Sequence, residues 1–254
     1  MKIKNILISQ FAPADFDKSP YAELTKKYSV NIDFYKLFRI ENVSGLEFRK
    51  SKVNILNHDA VIFSSKNTVD QFFYLVKDLR IDIPESMKYF CTTEAVAHYL
   101  QKYIQFRKRK IFYVKNSNPV SVYDLFLKNK EFKYLIPCGS DSMGTQYVEF
   151  FEKNGIQFTQ AVIFNIIPAD IKKDIDITKY DMIVFFSPSG VQAFHHNFPD
   201  FVQGEMVFAA LGHATASVFE TYGWELQVVA PTNEAPSITA AIELFLKDHA
   251  TRRR

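Results

Sequence analysis

Residues 180–194, YDMIVFFSPSGVQAF, decide the fold: an apolar run stops on Ser-Pro-Ser-Gly and continues with apolar residues at helical spacing. Residues 58–72, HDAVIFSSKNTVDQF, repeat the pattern. Asp59 and Asp181 open the apolar runs, which reach Phe63 and Phe185. Ser65 then matches Ser187, Val69 matches Val191 and Phe72 matches Phe194, all at one offset. A weaker echo sets YFCTTEAVAHYL (89–100) against FAALGHATASVF (208–219). Any two strand-to-helix units look alike to a degree, because each buries a strand and one helix face. Two echoes in the same order predict more, a chain built of two similar α/β domains.

Working outward, strands are expected at 4–9, 30–38, 60–63, 88–92, 110–114, 133–139, 158–168, 182–186, 207–211 and 225–229. Helices are expected at 21–28, 45–56, 68–79, 94–103, 120–129, 145–156, 191–198, 214–222 and 237–247, with Gly155 and Gly223 as stops. Such alternation implies parallel sheets covered on both faces. Two runs, VNIDFYKLFRI (30–40) and QFTQAVIFNIIP (157–168), exceed ordinary strand length. Pairing them makes the first domain discontinuous, 1–34 plus 172–254, and the second continuous, 41–161, with 35–40 and 162–171 as linker strands. The expected class is therefore α/β: two similar domains, each a parallel sheet flanked by helices, joined by a two-stranded β-ladder hinge. Their carboxyl edges then border a cleft, where ligands of open α/β sheets sit.

Composition narrows the function by exclusion. The 254 residues leave room for two cores, and a net charge of +3 is too mild to announce nucleic acid. The dense basic run Arg107–Lys110 reads as a solvated turn before a strand. Two cysteines, both in apolar surroundings, argue against a disulfide framework and fit a reduced cytoplasm. No apolar run approaches the roughly 20 residues that span a bilayer. The opening MKIKNILISQ reads as a strand, not a secretory signal, and the closing TRRR as a disordered tail.

A strand that becomes a helix through Ser-Pro-Ser-Gly presents backbone N–H groups at the helix N-terminus, a natural anion seat. Ser187 or Ser189 can cap, Pro188 presets the turn and Gly190 permits close approach. Ser64, Ser65 and Asn67 repeat the arrangement, with Lys66 adding a charge; Gly212, His213 and Thr215 form a third such turn. Pro137–Ser142, with Cys138, Gly139 and Ser140, forms a fourth. Plain capping explains any one of them. Four at strand ends facing one cleft predict a ligand rich in carboxylates or phosphates.

Other chemistry is sparse. GSDSMGTQ (139–146) spaces Gly139 and Gly144 as a P-loop does, but Thr145-Gln146 replaces the required Lys-Ser/Thr. No G-x-G-x-x-G is present. His195 and His196 are adjacent, cannot share a helix face and read as surface residues, so no metal site is expected. Neither Cys91 nor Cys138 carries a nucleophile motif, and Cys138 reads as a small packing residue.

FFSPSGVQAF, followed by VFAALGHATASVFETYGWELQVVAPTNEAPSITAAIE, resembles the C-terminal portion of the uroporphyrinogen-III synthases. There the family runs strand, Ser-Pro-Ser, helix, IGxxTA, helix ending in Gly, strand, then Pro and a distant Leu. VIFSSKNTVDQF looks like its FTSxxAV segment and LIPCGSDS like its LxPxG segment. The likeness spans most of the chain and is weakest around 80–130. It is specific as an ordered series and poor piece by piece.

The resemblance implies two α/β domains on a two-stranded ladder, the first made of both chain ends. It implies hydroxymethylbilane, a linear tetrapyrrole with eight carboxylates, as substrate, and its cyclodehydration with inversion of ring D, without cofactor. It further implies a cytoplasmic monomer in transient contact with the enzyme that makes the bilane. Three positions depart from the family pattern. Phe164 stands where the family has a linker Tyr credited with helping the hydroxyl leave, CTTEAVA (91–97) replaces a glycine-containing turn, and His213 replaces a Pro. His213, Tyr35 and Tyr147, or water, remain as proton donors in place of that Tyr. Phe164 also leaves open a non-catalytic tetrapyrrole- or polycarboxylate-binding protein.

Overall fold

The computed structural model describes residues 3–105, 107, 109–115, 119–140 and 146–251. The chain divides into two compact units, Met1–Arg39 with Ile167–Arg254 and Ile40–Ile166. In the first, strands β1 (Asn5–Ile8), β2 (Asn31–Phe34), β9 (Met182–Phe185), β10 (Val207–Leu211) and β11 (Val228–Ala230) pair in parallel in the order β11-β10-β9-β1-β2. Helices α1 (Pro20–Tyr28), α7 (Pro188–Asn197), α8 (His213–Thr221) and α9 (Ile238–Thr251) complete it.

The second unit contains α2 (Gly45–Lys50), β4 (Ala60–Phe63), α3 (Lys66–Leu79), β5 (Lys88–Cys91), α4 (Glu94–Leu100), β6 (Ile111–Tyr113), α5 (Pro119–Leu127), β7 (Tyr134–Gly139) and α6 (Gln146–Lys153). The chain passes between the units on β3 (Phe38–Asn42) and β8 (Phe158–Pro168), and the sheet order is β3-β8-β7-β4-β5-β6. Val43 N–H donates to Ile163 O at 3.1 Å and Ala169 N–H to Leu37 O at 2.9 Å, the opposed register of an antiparallel ladder.

Burial explains why these segments are strands. Every residue of β4 (AVIF) and of β9 (MIVF) is buried, as central strands covered on both faces require. Ile6, Ile8, Met182, Val184 and Ile242 help fill one face of the first sheet. In the second unit Val61, Phe63, Phe72 and Tyr89 pack on one face, and Ile62, Phe90, Tyr134 and Phe151 on the other.

The internal echo has a topological meaning. From the middle of each sheet, β4-α3-β5-α4-β6 and β9-α7-β10-α8-β11 step outward in the same spatial order. The other flank holds β7 and β8 in one unit and β1 and β2 in the other, so β3 aside the two sheets match after a permutation of chain order. The matched aspartates act alike. Asp181 Oδ2 accepts the N–H groups of Lys4 (2.7 Å) and Asn5 (2.9 Å) at the start of β1, and Asp59 Oδ2 accepts Lys133 N–H (2.9 Å) just before β7. Each carbonyl serves the strand on the other side, Asp59 O receiving Lys88 N–H and Asp181 O receiving Val207 N–H, both at 2.9 Å. Asp181→Ala is expected to cost about 1–2 kcal/mol, at the low end for losing a charged acceptor because water reaches Lys4. A urea midpoint equal to that of the unaltered chain would refute this.

Several expectations need correction. The strand expected at 30–38 is two strands, because Tyr35 N–H donates to Ile8 O (3.0 Å) and the next residues leave the first sheet. The helix expected at 45–56 ends at Lys50, with Lys52 at φ 59° and a separate 3-10 turn at Ile55–Asn57. The last strand begins at Val228 because Gln203 holds both backbone groups of Glu225 and Gln227 Oε1 accepts from Phe208 N–H. His195 is half-buried, its ring stacked on Tyr222 at 4.1 Å beside Trp224, whereas His196 is exposed as expected. In the basic run, Arg107 and Lys110 both face Glu85, whereas Lys108, like the tail 252–254, lies outside the described residues.

Candidate functional site

Each sheet has a point where successive connections leave in opposite directions, and the crevice outside the carboxyl ends of the strands there is the natural ligand seat. In the second unit it falls between β4 and β7, in the first between β1 and β9.

At the β4/β7 point a cavity of about 140 Å³ opens. The end of β4 and the first turn of α3 supply Ser64, Ser65 and Thr68; β7 supplies Pro137, Cys138 and Gly139. Tyr147 of α6 and Phe164 of β8 also line it. Pockets that enclose a drug-sized molecule run to roughly 300–1,000 Å³, so this one suits a side group, not a whole ligand. Ser65 is the N-cap of α3: its Oγ accepts Thr68 N–H at 3.1 Å and lies 2.8 Å from Thr68 Oγ1. The Lys66 and Asn67 amides, in the first turn, have no intrahelical acceptor. Lys66 is exposed, its ammonium 5.6 Å from the centroid of the Tyr99 ring.

The cavity wall is held by hydrogen bonds and ring packing. Cys138 is buried and its thiol donates to Ala161 O at 3.5 Å. A register shift between Cys138 and Gly139 sets Gly139 opposite Phe164, and Ser140 N–H donates to Phe164 O at 3.0 Å. Ser140 Oγ accepts Ile166 N–H at 3.4 Å. Residues 141–145, including Ser142 and the rest of the turn expected there, lie outside the described residues. Tyr147 is buried against Phe126, centroids 5.7 Å apart and rings nearly perpendicular.

In the first unit the two expected turns differ in openness. Ser187 caps α7, its Oγ accepting Gly190 N–H at 3.3 Å, and Pro188 has no N–H, so this turn satisfies most of its own donors. Ser189 and Gly190 are buried, and a Cβ on Gly190 would stand 3.7 Å from Ser9 Oγ. That contact is ordinary packing, so no steric need for glycine arises there. Gly212 caps α8 without a side chain, at φ 87° and ψ 146°, and a Cβ there would meet nothing within 4 Å. His213 and Ala214 are exposed in the first turn, while Thr215 is buried at 2% exposure. Of the two helix termini, that of α8 is the more open.

Tyr35 is committed elsewhere: its hydroxyl donates to Asp174 Oδ2 at 2.6 Å, and this bond with some burial raises its pKa. Burial pushes the Cys91 thiol up to about 12, so it is no nucleophile at neutral pH. Among the described residues no three His, Cys, Asp or Glu side chains cluster as metal ligands, and no helix is long and apolar enough to cross a membrane. Sequence reasoning missed Thr68, which lines the cavity; the S-x-x-T spacing from Ser65 is the signal that marks it.

Comparison with known proteins bears on the family and the fold. The family described as uroporphyrinogen-III synthase HemD matches residues 19–240, which include all four turns. No curated protein matches the chain. A mutant uroporphyrinogen III synthase from the extremely thermophilic bacterium Thermus thermophilus shares 12% identity at TM-score 0.59, covering 99% of this chain and 100% of its own. The uroporphyrinogen-III synthetase of Helicobacter pylori 26695 shares 18% identity at TM-score 0.57, covering 96% of this chain and 99% of its own. At these identities the two structures speak for the fold, and the family match, over most of the length, speaks for descent: the chain belongs to the uroporphyrinogen-III synthase family.

Proposed function

We propose that the protein is a uroporphyrinogen-III synthase, closing hydroxymethylbilane with loss of water and inversion of ring D, without a cofactor. The family match across all four strand-end turns carries the reading. The leaving hydroxyl takes a proton and departs as water. The azafulvene cation so formed is held for attack by the substituted carbon of ring D. Because the bilane closes unaided to the other isomer, the task is orientation, and orienting reacting ends contributes up to roughly 7–11 kcal/mol in favourable cases. A site with few acid–base groups is then sufficient. First-turn amides of α3 and α8 and the cavity beside Ser64 and Ser65 would seat the carboxylate arms. His213, exposed at the α8 terminus, and Tyr147, in the cavity wall, are the candidate donors; Tyr35 is the weaker one because Asp174 holds its proton.

Phe164, a cavity-lining side chain without a proton to give, favours the second reading, a tetrapyrrole-binding protein without turnover. A coupled assay separates the two. Hydroxymethylbilane is generated in place by its own synthase, this protein is added, and the oxidised products are resolved into isomers I and III. Isomer III in excess over background is expected. Isomer I alone, from folded protein, would leave binding as the function.

A further inference from the structure

Lys36 is a half-buried ammonium with an aromatic ring and no carboxylate for company. Its Nζ lies 3.8 Å from the centroid of the Phe38 ring. Among the described residues it forms no ion pair, unlike Lys27 with Glu243, Lys102 with Asp70 or Lys173 with Asp170, all of them more exposed. Asp174, which faces the preceding residue, accepts from the Tyr35 hydroxyl. Burial lowers the lysine pKa, with no opposing charge to restore it. An ammonium that has given up part of its water without gaining a counter-ion is unusual, because buried charges are ordinarily paired.

Its position says what could pair with it. Tyr35 N–H donates to Ile8 O, so Lys36 stands where the chain leaves the carboxyl edge of the first sheet. Ile8 leads into Ser9, whose Oγ lies beside Gly190 in the first turn of α7. Lys36 thus belongs to the edge that carries the α7 and α8 termini, yet no turn or capping motif marks it. Its ammonium rests over the Phe38 ring, a face that attracts cations without neutralising them.

We propose that Lys36 is an anion-receiving residue of the first unit, pairing with a carboxylate of the substrate at the carboxyl edge of its sheet. The inference rests on the synthase reading and deepens it, by adding a cation to a site otherwise made of amides and hydroxyls. The ring pre-positions the ammonium, so the incoming carboxylate finds a donor already partly stripped of water.

The test compares Lys36→Met, which keeps an unbranched side chain of similar length without the charge, and Lys36→Arg, which keeps the charge. In the coupled assay, Lys36→Met is expected to raise KM for hydroxymethylbilane about tenfold, the scale of one lost charge-assisted hydrogen bond, and Lys36→Arg to recover most of it. A purely structural role predicts a lower melting temperature and no such recovery. A KM for Lys36→Met equal to that of the unaltered protein overturns the inference. Should the unaltered protein form no isomer III, the synthase reading fails, and titration with uroporphyrin III, an octacarboxylate, still reads Lys36. Quenching of Trp224 should then show about tenfold weaker binding by Lys36→Met. Equal affinity overturns the proposal.

Discussion

Replacing Phe151 by Ala is expected to remove about 3–5 kcal/mol of stability, the range for emptying a fully buried aromatic site. Phe151 has no exposed surface and sits among Phe126 at 4.9 Å, Tyr134 at 5.3 Å and Phe158 at 5.7 Å between ring centroids. The perpendicular setting against Phe126 favours edge-to-face attraction, worth about 0.5–1.5 kcal/mol beyond area burial. Alanine keeps the helix but leaves those rings around a void they cannot fill without leaving their rotamers. The effect reaches the site because Tyr147 lies one helical turn earlier on α6 and packs on the same Phe126 ring. Urea unfolding and amide exchange check it: exchange should quicken first in β7 and α6. A loss below about 1 kcal/mol would show that neighbouring rings collapse into the gap.

Much of the architecture is legible because it rests on local pattern. The runs AVIF, MIVF and VFAAL are strands wherever they are placed, since each must be buried on both faces. Helix starts are read late. The first turns of α3 and α7 are polar capping sequence, so apolar periodicity announces itself only at Val69 and Val191, although the helices begin at Lys66 and Pro188. The break between β2 and β3 leaves only a faint local mark, the failure of the VNIDF alternation at Tyr35-Lys36, and the chain turns there on a hydrogen bond to Ile8, far away in the chain. The same holds for the permutation relating the units. The echo covers the strands on one flank, whereas β1 and β7 correspond through the hydrogen bonds of Asp181 and Asp59 and through no shared sequence.

The site divides in the same way. Polar turns at strand ends are visible as residue types, so Ser65, Gly139, Ser187 and Gly212 can be named in advance. What each turn does with its donors is decided by geometry. Ser187 spends its oxygen on Gly190, and Tyr35 spends its proton on Asp174 across 139 residues. Lys36 escapes notice altogether, because what distinguishes it is the absence of a carboxylate partner, a property of three-dimensional neighbours.

Gly212→Ala carries the largest expected loss of activity. At φ 87° and ψ 146° the residue occupies a region essentially confined to glycine, so any side chain strains the backbone by about 1–3 kcal/mol. Empty space around the Cβ position means that the strain is the whole cost. The chain relieves it by rotating the peptides on either side, and these hold the turn together. Gly212 N–H donates to Ala230 O at 2.7 Å, and Gly212 O accepts from Thr215 N–H at 3.2 Å and Ala216 N–H at 3.1 Å. Rotation therefore swings the His213 and Ala214 amides, the open donors of α8. If those amides seat a substrate carboxylate, isomer III formation should fall about 10- to 100-fold, the cost of one or two misdirected charge-assisted hydrogen bonds. Gly204→Ala is the matched control: Gly204 has φ 54°, equally open surroundings, and lies before the amino end of β10, at the opposite edge of the same sheet. Both variants should melt a few degrees lower, about 2–4 °C per kcal/mol for a chain of this size. Only Gly212→Ala should lose turnover. Equal activity in the two would place substrate binding away from α8 and return the question of the anion seat to the cavity beside Ser65.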